Sequence, residues 1–508
     1  MVDVSPIPSS WKLPGTSITV DPSQAGTPTN PKFALLVGHP LASAPAPRDV
    51  VTAIGTQADA NAYFGAGSML ARQFAAFFAI NRSSPLFALP VAEPSSGVAA
   101  TGTLTVSAAP TVAGTLSLYI AGQKVAIAIA SADTAANVAT KIAAAITAAP
   151  DLPVTASASS AAVTLTAKWK GLTGNDIRVE ANYLGFYGGE FYPSSLTLTF
   201  PTDNVLSGGT GTPDFTAAIA NLGDAPYRFV SLPHTDSGSR ALWATEYGFS
   251  DSGRWGWMRQ SYGQIWSARR DTYSGHMTWG PTANDPVIYT MGIEPQSPTP
   301  MWEWSAVFAA NAALYLTADP ARPLQTLTMN GCLPAPKSFR FNKTQLNAMA
   351  TVGIAIQGTD LDGNTGGVPQ ILREQSSYQR NTQGQADNAY ELATTLATLD
   401  EVFTRLRQAI SNKFPRHKLA DNGTRFGAGQ AIVTPLIIKG ELVAQYRIME
   451  NDGLVENATA FKNALVVERS TKEPNTVEVL YPPDLINQLR RLNIKCQFRL
   501  QFPLALAA

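Results

Sequence analysis

Cysteine is nearly absent. The 508 residues hold two, Cys332 and Cys496, in unrelated surroundings and with no Cys-x-x-Cys spacing. Neither a disulfide framework nor a zinc-thiolate centre follows from that, and the expectation is two buried thiols in a reducing compartment. Charge is scarce as well: Asp, Glu, Lys and Arg make up 15% of the chain, against roughly a quarter in an ordinary soluble domain. Lys plus Arg equals Asp plus Glu, at 37 each. A chain that grips nucleic acid by neutralising phosphates carries a basic surplus, so nucleic-acid binding is not expected as the main role. Few charges instead leave uncharged surface for neighbours to cover. The four histidines (His39, His234, His276, His417) show no His-x3-His or His-Glu-x-x-His spacing, and no metal site or cofactor is expected. Long apolar runs are missing too. The stretch at 74–80 falls far short of the ~20 residues that span a bilayer. The first six residues lack the basic and apolar regions of a signal peptide. A protein made in the cytoplasm, with no membrane insertion, is expected.

What is present is sorted along the chain. A single core does not suffice for 508 residues, and two to four domains are expected. Residues 1–31 are rich in Pro, Ser, Thr and Gly around one apolar island, Ile18-Thr19-Val20, and read as an extended arm. Apolar runs at 33–38, 86–91, 227–233 and 287–292 alternate with helical patterns at 70–78, 214–222, 241–248 and 302–316. That is the strand-helix-strand grammar of a parallel sheet. Between 95 and 199 it breaks: Ala, Thr, Ser and Val dominate, short runs alternate, and Asp133 is the expected cap of a helix facing inward through Val138, Ile142 and Ile146. The reading is a multidomain α/β and α+β chain with a parallel or mixed sheet core and flanking helices. An α/β domain takes 32–94 with 200–325, and a small β-rich domain is inserted at 95–199. An α+β domain follows over 326–485, then a strand arm over 486–508. The inserted domain reads as peripheral, so its deletion is expected to spare assembly.

The stretch 323–418 organises the rest. Runs at 352–356 and 370–373 flank the turn formers Asp360-Leu361-Asp362-Gly363-Asn364, a hairpin signal. A long helix follows, with Asp387 as its expected cap. On it Leu392, Leu396, Leu399, Phe403, Leu406 and Ile410 recur in steps of four and three, a narrow apolar seam that by default packs on the protein's own sheet. Phe414-Pro415 ends it. Basic residues gather there: Arg405, Arg407, Lys413, Arg416 and Lys418. They read either as a solvated face near a helix C-terminus or as a contact surface. The chain closes on a period-two run, with Ile494, Cys496, Phe498, Leu500 and Phe502 on one face and Lys495, Gln497, Arg499 and Gln501 on the other. A terminal strand with one greasy face is an aggregation hazard unless it has a designated partner. It and the segment around Ile18 and Val20 are therefore expected to add strands to neighbouring copies.

Several of these pieces recur together in one family. They are Gly353-Ile354 running to Asp360-x-Asp362-Gly363, then Ile371-Leu372-Arg373-Glu374, Tyr378-Gln379-Arg380-Asn381, and Gly384-Gln385-Ala386-Asp387 with Tyr390. The last is Lys413-Phe414-Pro415-Arg416-His417-Lys418-Leu419-Ala420-Asp421. In this order the chain resembles the contractile tail sheath proteins of bacteriophages, in their Mu-like branch. The resemblance implies a virion structural subunit that stacks as hexameric rings around a tail tube and contracts to drive it through the host envelope. The tube, baseplate and tail terminator proteins would be its partners, and the basic cluster would face the tube.

No catalytic constellation stands out. His234, Asp236 and Ser237 hold the members of a nucleophilic triad, but triad groups converge from separate elements, and a loop whose Asp or Ser caps the next helix is the plainer reading. Asp360, Asp362 and Asn364 sit like calcium-loop ligands, yet Thr365 and Ile371 stand where that loop needs Gly and Glu. The cluster Trp255, Trp257, Tyr262, Trp266, Tyr273 and Trp279 reads as core and interface before it reads as a glycan platform. The rivals are another tail structural protein, of tube or baseplate, and a hydrolase or glycan-binding module.

Overall fold

The computed structural model describes residues 32–193, 195–359 and 367–500. Ile18, Val20 and Phe502 lie outside the described residues, as do the turn and calcium-loop positions 360–366.

Strand β1 (Phe33–Gly38), the short β2 (Thr52–Ala53), helices α1 (Gln57–Phe64) and α2 (Met69–Phe78), and β3 (Leu86–Pro90) come first. Both helices start on a hydroxyl cap, Thr56 accepting from Asp59 N and Ser68 from Ala71 N. Then come β4 (Ala99–Ala108), β5 (Gly114–Ile120), β6 (Gln123–Ile129), α3 (Ala135–Thr147), β7 (Val154–Ser159), β8 (Ala162–Lys170), β9 (Val179–Ala181) and β10 (Thr197–Thr199). They form two antiparallel sheets, ordered β10-β4-β8-β7 and β6-β5-β9. Thr101 pairs with Ser207 and Val98 with Thr210, so this β-rich segment runs on past residue 199. Val138, Ile142 and Ile146 of α3 are buried, but Thr134 caps the helix in place of Asp133. Asp133 instead closes the preceding turn, accepting from Ala130 N at 2.7 Å.

The large sheet resumes after α4 (Thr216–Ala220), which is shorter than its sequence pattern, with β11 (Tyr227–Ser231), α5 (Ser237–Glu246), β12 (Gln264–Arg270), α6 (Tyr273–Trp279), β13 (Ile288–Ile293) and α7 (Met301–Ala318). Its order is β13-β12-β11-β1-β3-β2, parallel throughout except at the β2 edge. A central parallel strand is covered on both faces, which is why β1 carries no polar side chain. Ala34 and Leu36 meet Phe74 and Phe308 on the side of α2 and α7. Leu35 and Val37 meet Phe215, Trp243 and Leu396 on the other.

The C-terminal part holds α8 (Lys343–Ala350), β14 (Ile356–Gly358), β15 (Gln370–Arg373), α9 (Ala393–Lys413), β16 (Lys418–Leu419), β17 (Ile432–Val433), α10 (Pro435–Asn451), α11 (Ala458–Ala464), β18 (Val466–Arg469) and β19 (Val477–Leu480). Strands β14 and β15 pair antiparallel, as the hairpin signal anticipates. Helix α9 starts later than expected. Gln375 bridges Leu392, and Ala393 N donates to Glu374 O at 3.2 Å, so the chain stays extended through Leu392. Leu392 is the N-cap, and Asp387 caps nothing on α9. Asp387 accepts instead from Tyr378 Oη at 2.6 Å and Ala389 N at 3.0 Å.

Candidate assembly surfaces

Helix α9 joins two cores. Leu396 is buried among the side chains over the parallel sheet, with Leu399 and Phe403 packed against them. Phe403, Leu406 and Ile410 also pack on the C-terminal cluster of Val402, Leu442, Tyr446, Met449 and Phe461. Five of the six seam residues thus pack within the chain, Phe403 touching both cores, while Leu392 is half-buried at the N-cap. Charges fix the junction. Arg228 on β11 meets Asp400 at 2.9 Å with both side chains buried, and Lys32 meets Glu401 at 2.9 Å. Burial pushes the Asp400 carboxyl up, and the Arg228 guanidinium opposes that shift.

The end of the chain behaves differently on either side of Arg490. Before it the segment is tied down: Val455 bridges Leu485, Ile486 N donates to Leu454 O at 3.2 Å, and Gln325 Nε2 donates to Leu489 O at 3.3 Å. Arg490 then grips Glu374, whose side chain is wholly buried, through both guanidinium arms, with Nη1 at 2.9 Å from Oε2. Beyond it all of 491–500 is exposed and forms neither strand nor helix. Ile494 is 79% exposed and Phe498 82%. Cys496 is exposed too, contrary to the expected buried thiol, because no layer among the described residues covers it, whereas Cys332 is buried. Among the described residues, 491–500 form no strand.

The C-terminal part also holds an uncovered sheet edge. Strands β18 and β19 form a two-stranded antiparallel sheet registered from Val466 opposite Leu480 to Arg469 opposite Val477. Neither outer edge carries a further strand among the described residues, and Val466, Val479 and Leu480 are exposed. A lone hairpin is marginal in water and gains from each added strand.

The basic cluster divides. Arg405 is answered by Glu401 at 2.9 Å and Asp452 at 2.5 Å, and Lys413 by Glu441. Arg407 reaches the Gln260 carbonyl at 3.3 Å and Lys418 the Gln430 side chain at 3.2 Å. Lys413, Arg416 and Lys418 are exposed, and so is every position over 421–430, Arg425 among them.

The enzyme-like features come apart. The Asp236 carboxylate accepts from Ser239 N at 2.9 Å as the cap of α5, and neither nitrogen of His234 has a hydrogen-bond partner, so no relay links the three. Of the six clustered aromatics Trp255, Tyr262 and Trp266 are buried and Trp257 is 69% exposed. Trp279 lies under Arg240 and Arg269, with centroid distances of 5.0 and 5.1 Å. Among the described residues no helix is long and apolar enough to cross a membrane, and no group of three or more His, Cys, Asp or Glu could hold a metal ion.

Comparison with known proteins agrees with an assembly role. The family model for the phage tail sheath protein central domain matches residues 208–365, and that for the phage tail sheath C-terminal domain matches 385–499. The chain is 36% identical over 486 residues to the Mu-like prophage FluMu tail sheath protein of Haemophilus influenzae, covering 95% of this chain and 96% of that one. Among solved structures, the helical sheath of the anti-feeding prophage in its contracted state aligns with a TM-score of 0.46 at 10% identity, over 97% of this chain and 100% of that one. A sheath tail protein from Desulfitobacterium hafniense aligns at 0.45 and 12% identity, over 93% and 100%.

Proposed function

The chain belongs to the phage tail sheath family, a structural component of contractile tails, and from that premise we propose that it polymerises by strand exchange into stacked hexameric rings around the tail tube. The observation that carries this reading is the contrast at Arg490. A tethered, ordered root is followed by an alternating apolar segment whose described residues are all exposed. Laid on the open β18–β19 edge of a neighbour, residues 491–500 gain main-chain hydrogen bonds and bury Ile494, Cys496 and Phe498. Such a link survives rotation of the rigid bodies it joins. Contraction then follows from larger subunit interfaces in the short form, multiplied over many copies. We assign residues 95–210 to an inserted domain, the two chain ends to exchanged arms, and the exposed Lys413, Arg416 and Lys418 to the tube-facing side. Assembly in the host cytoplasm, with baseplate and terminator proteins at the two ends of the stack, completes the proposal. Negative-stain microscopy of the purified chain tests it: tubes of uniform diameter are expected, and a discrete monomer at high concentration would refute it.

A further inference from the structure

We propose that Asn330 is a site of spontaneous covalent modification, at which it loses its side-chain nitrogen and becomes aspartate and isoaspartate. The Gly331 nitrogen attacks the side-chain carbonyl carbon of Asn330 and forms a new C–N bond. Nδ2 leaves as ammonia and takes the Gly331 N–H proton with it. Water then opens the five-membered imide at either carbonyl, so no oxidant, reductant or cofactor enters. Glycine after the asparagine matters because it has no side chain to crowd the attacking nitrogen. The chain has two such pairs, Asn330-Gly331 and Asn422-Gly423.

Both pairs occupy the same kind of turn. Cys332 N donates to Met329 O at 3.1 Å and Thr424 N to Asp421 O at 3.2 Å, which places each Asn second and each Gly third. Gly331 has φ +91° and Gly423 +87°, the left-handed backbone that this third position asks of glycine. All four residues are exposed, so water reaches both. The side chains tell them apart. Asn422 Oδ1 accepts from Leu436 N at 2.9 Å, an N–H in the first turn of α10 that no helical carbonyl satisfies. That bond fixes the carboxamide against rotation toward Gly423. The Asn330 side chain has no hydrogen-bond partner among the described residues, and the Gly331 N–H donates to none of them. The reaction therefore falls on Asn330. Its products reach beyond the turn. Met329 and Cys332 on either side are buried, and Met329 N donates to Pro369 O at 2.7 Å, just before β15. Isoaspartate adds a methylene to the main chain between these anchors, and either product adds a negative charge to a chain whose formal charges balance.

Ageing the purified full chain at mildly alkaline pH in water carrying heavy oxygen, followed by peptide mass spectrometry, tests the assignment. The heavy atom enters only as the imide opens, so label records reaction during ageing and not during digestion in ordinary water. In the folded chain, label at 330 is expected to run about fivefold ahead of 422, the factor that one hydrogen bond sets. In urea, where the Leu436 contact is lost, the two positions should label at equal rates. No label at 330 in the folded chain overturns the site, as does equal label at 330 and 422. A lead of 330 that persists undiminished in urea overturns the argument from the Leu436 contact.

Discussion

Arg490 closes a two-point ion pair on Glu374, a carboxylate with no exposed surface, and so fixes where the chain leaves its own body. Breaking a buried pair from one side leaves a charge without compensation, at a cost of roughly 3–5 kcal/mol. Arg490→Ala is therefore expected to lower unfolding stability in urea by about that amount. Adding Glu374→Gln should restore a large part of it, since the residue left behind is then neutral. Equal losses in the single and double variants would remove the pair as the anchor.

The β-rich segment is bound to the sheet through charged contacts. Asp176 meets Arg270 at 2.6 Å and accepts from Met301 N at 2.5 Å, serving the start of α7, whose own N-cap is Pro300. Arg72 meets Glu303 and reaches the Ala121 and Asp151 carbonyls at 3.0 and 3.1 Å. Trp302 lies within the β-rich core, edge-on to Trp169 at 5.2 Å. Deleting 95–199 strands these groups, so an insoluble or unfolded product is expected in place of the tolerance a peripheral insertion allows. Asp176→Ala alone should cost about 3 kcal/mol or more. Both are read by denaturant unfolding and sedimentation.

Acid should weaken the fold through its buried histidines. His39 and His276 are buried and held at about 4, below the ordinary 6.5, chiefly by desolvation, and His234 lies well below it. At these histidines the unfolded chain thus binds more protons than the folded one between pH 6.5 and 4, and their contribution to stability rises with pH across that window. Each such histidine contributes a slope of about 1.4 kcal/mol per pH unit there. Urea midpoints at pH 7 and pH 5 test this: a fall toward pH 5 is expected, smaller in His276→Gln. A flat profile would contradict it.

Much of the sheet could be read from the sequence, because a strand covered on both faces needs little besides apolar residues. Residues 33–38 and 288–293 are of that kind. Strand β12 carries a weaker signal, since Gln264-Ile265-Trp266-Ser267-Ala268-Arg269-Arg270 mixes polar residues into the run. Their partners are tertiary: Gln264 Nε2 donates to Ala393 O at 2.7 Å and Ser267 Oγ to Leu232 O at 2.7 Å. The cap at Asp387 failed for a similar reason, as the Gln375–Leu392 bridge holds the chain extended beyond it. Nor could periodicity reveal the root of the tail, which depends on Arg490 and Glu374 meeting across 116 positions.

The exposed cations at the end of α9 carry a prediction of their own. Reversing charge at Lys413, Arg416 and Lys418 should weaken assembly of the extended sheath on a tube more than formation of contracted sheath without one. Electron microscopy of both preparations reads the difference. Equal loss of the two forms would detach these residues from tube contact.

The most direct measurement is electron microscopy of the chain cut after Arg490, beside the full-length protein at equal concentration. The anchored root and both cores remain in the truncation, so circular dichroism and unfolding should match the parent. A folded particle that builds no tubes is expected. Tubes of normal diameter from the shortened chain would contradict it.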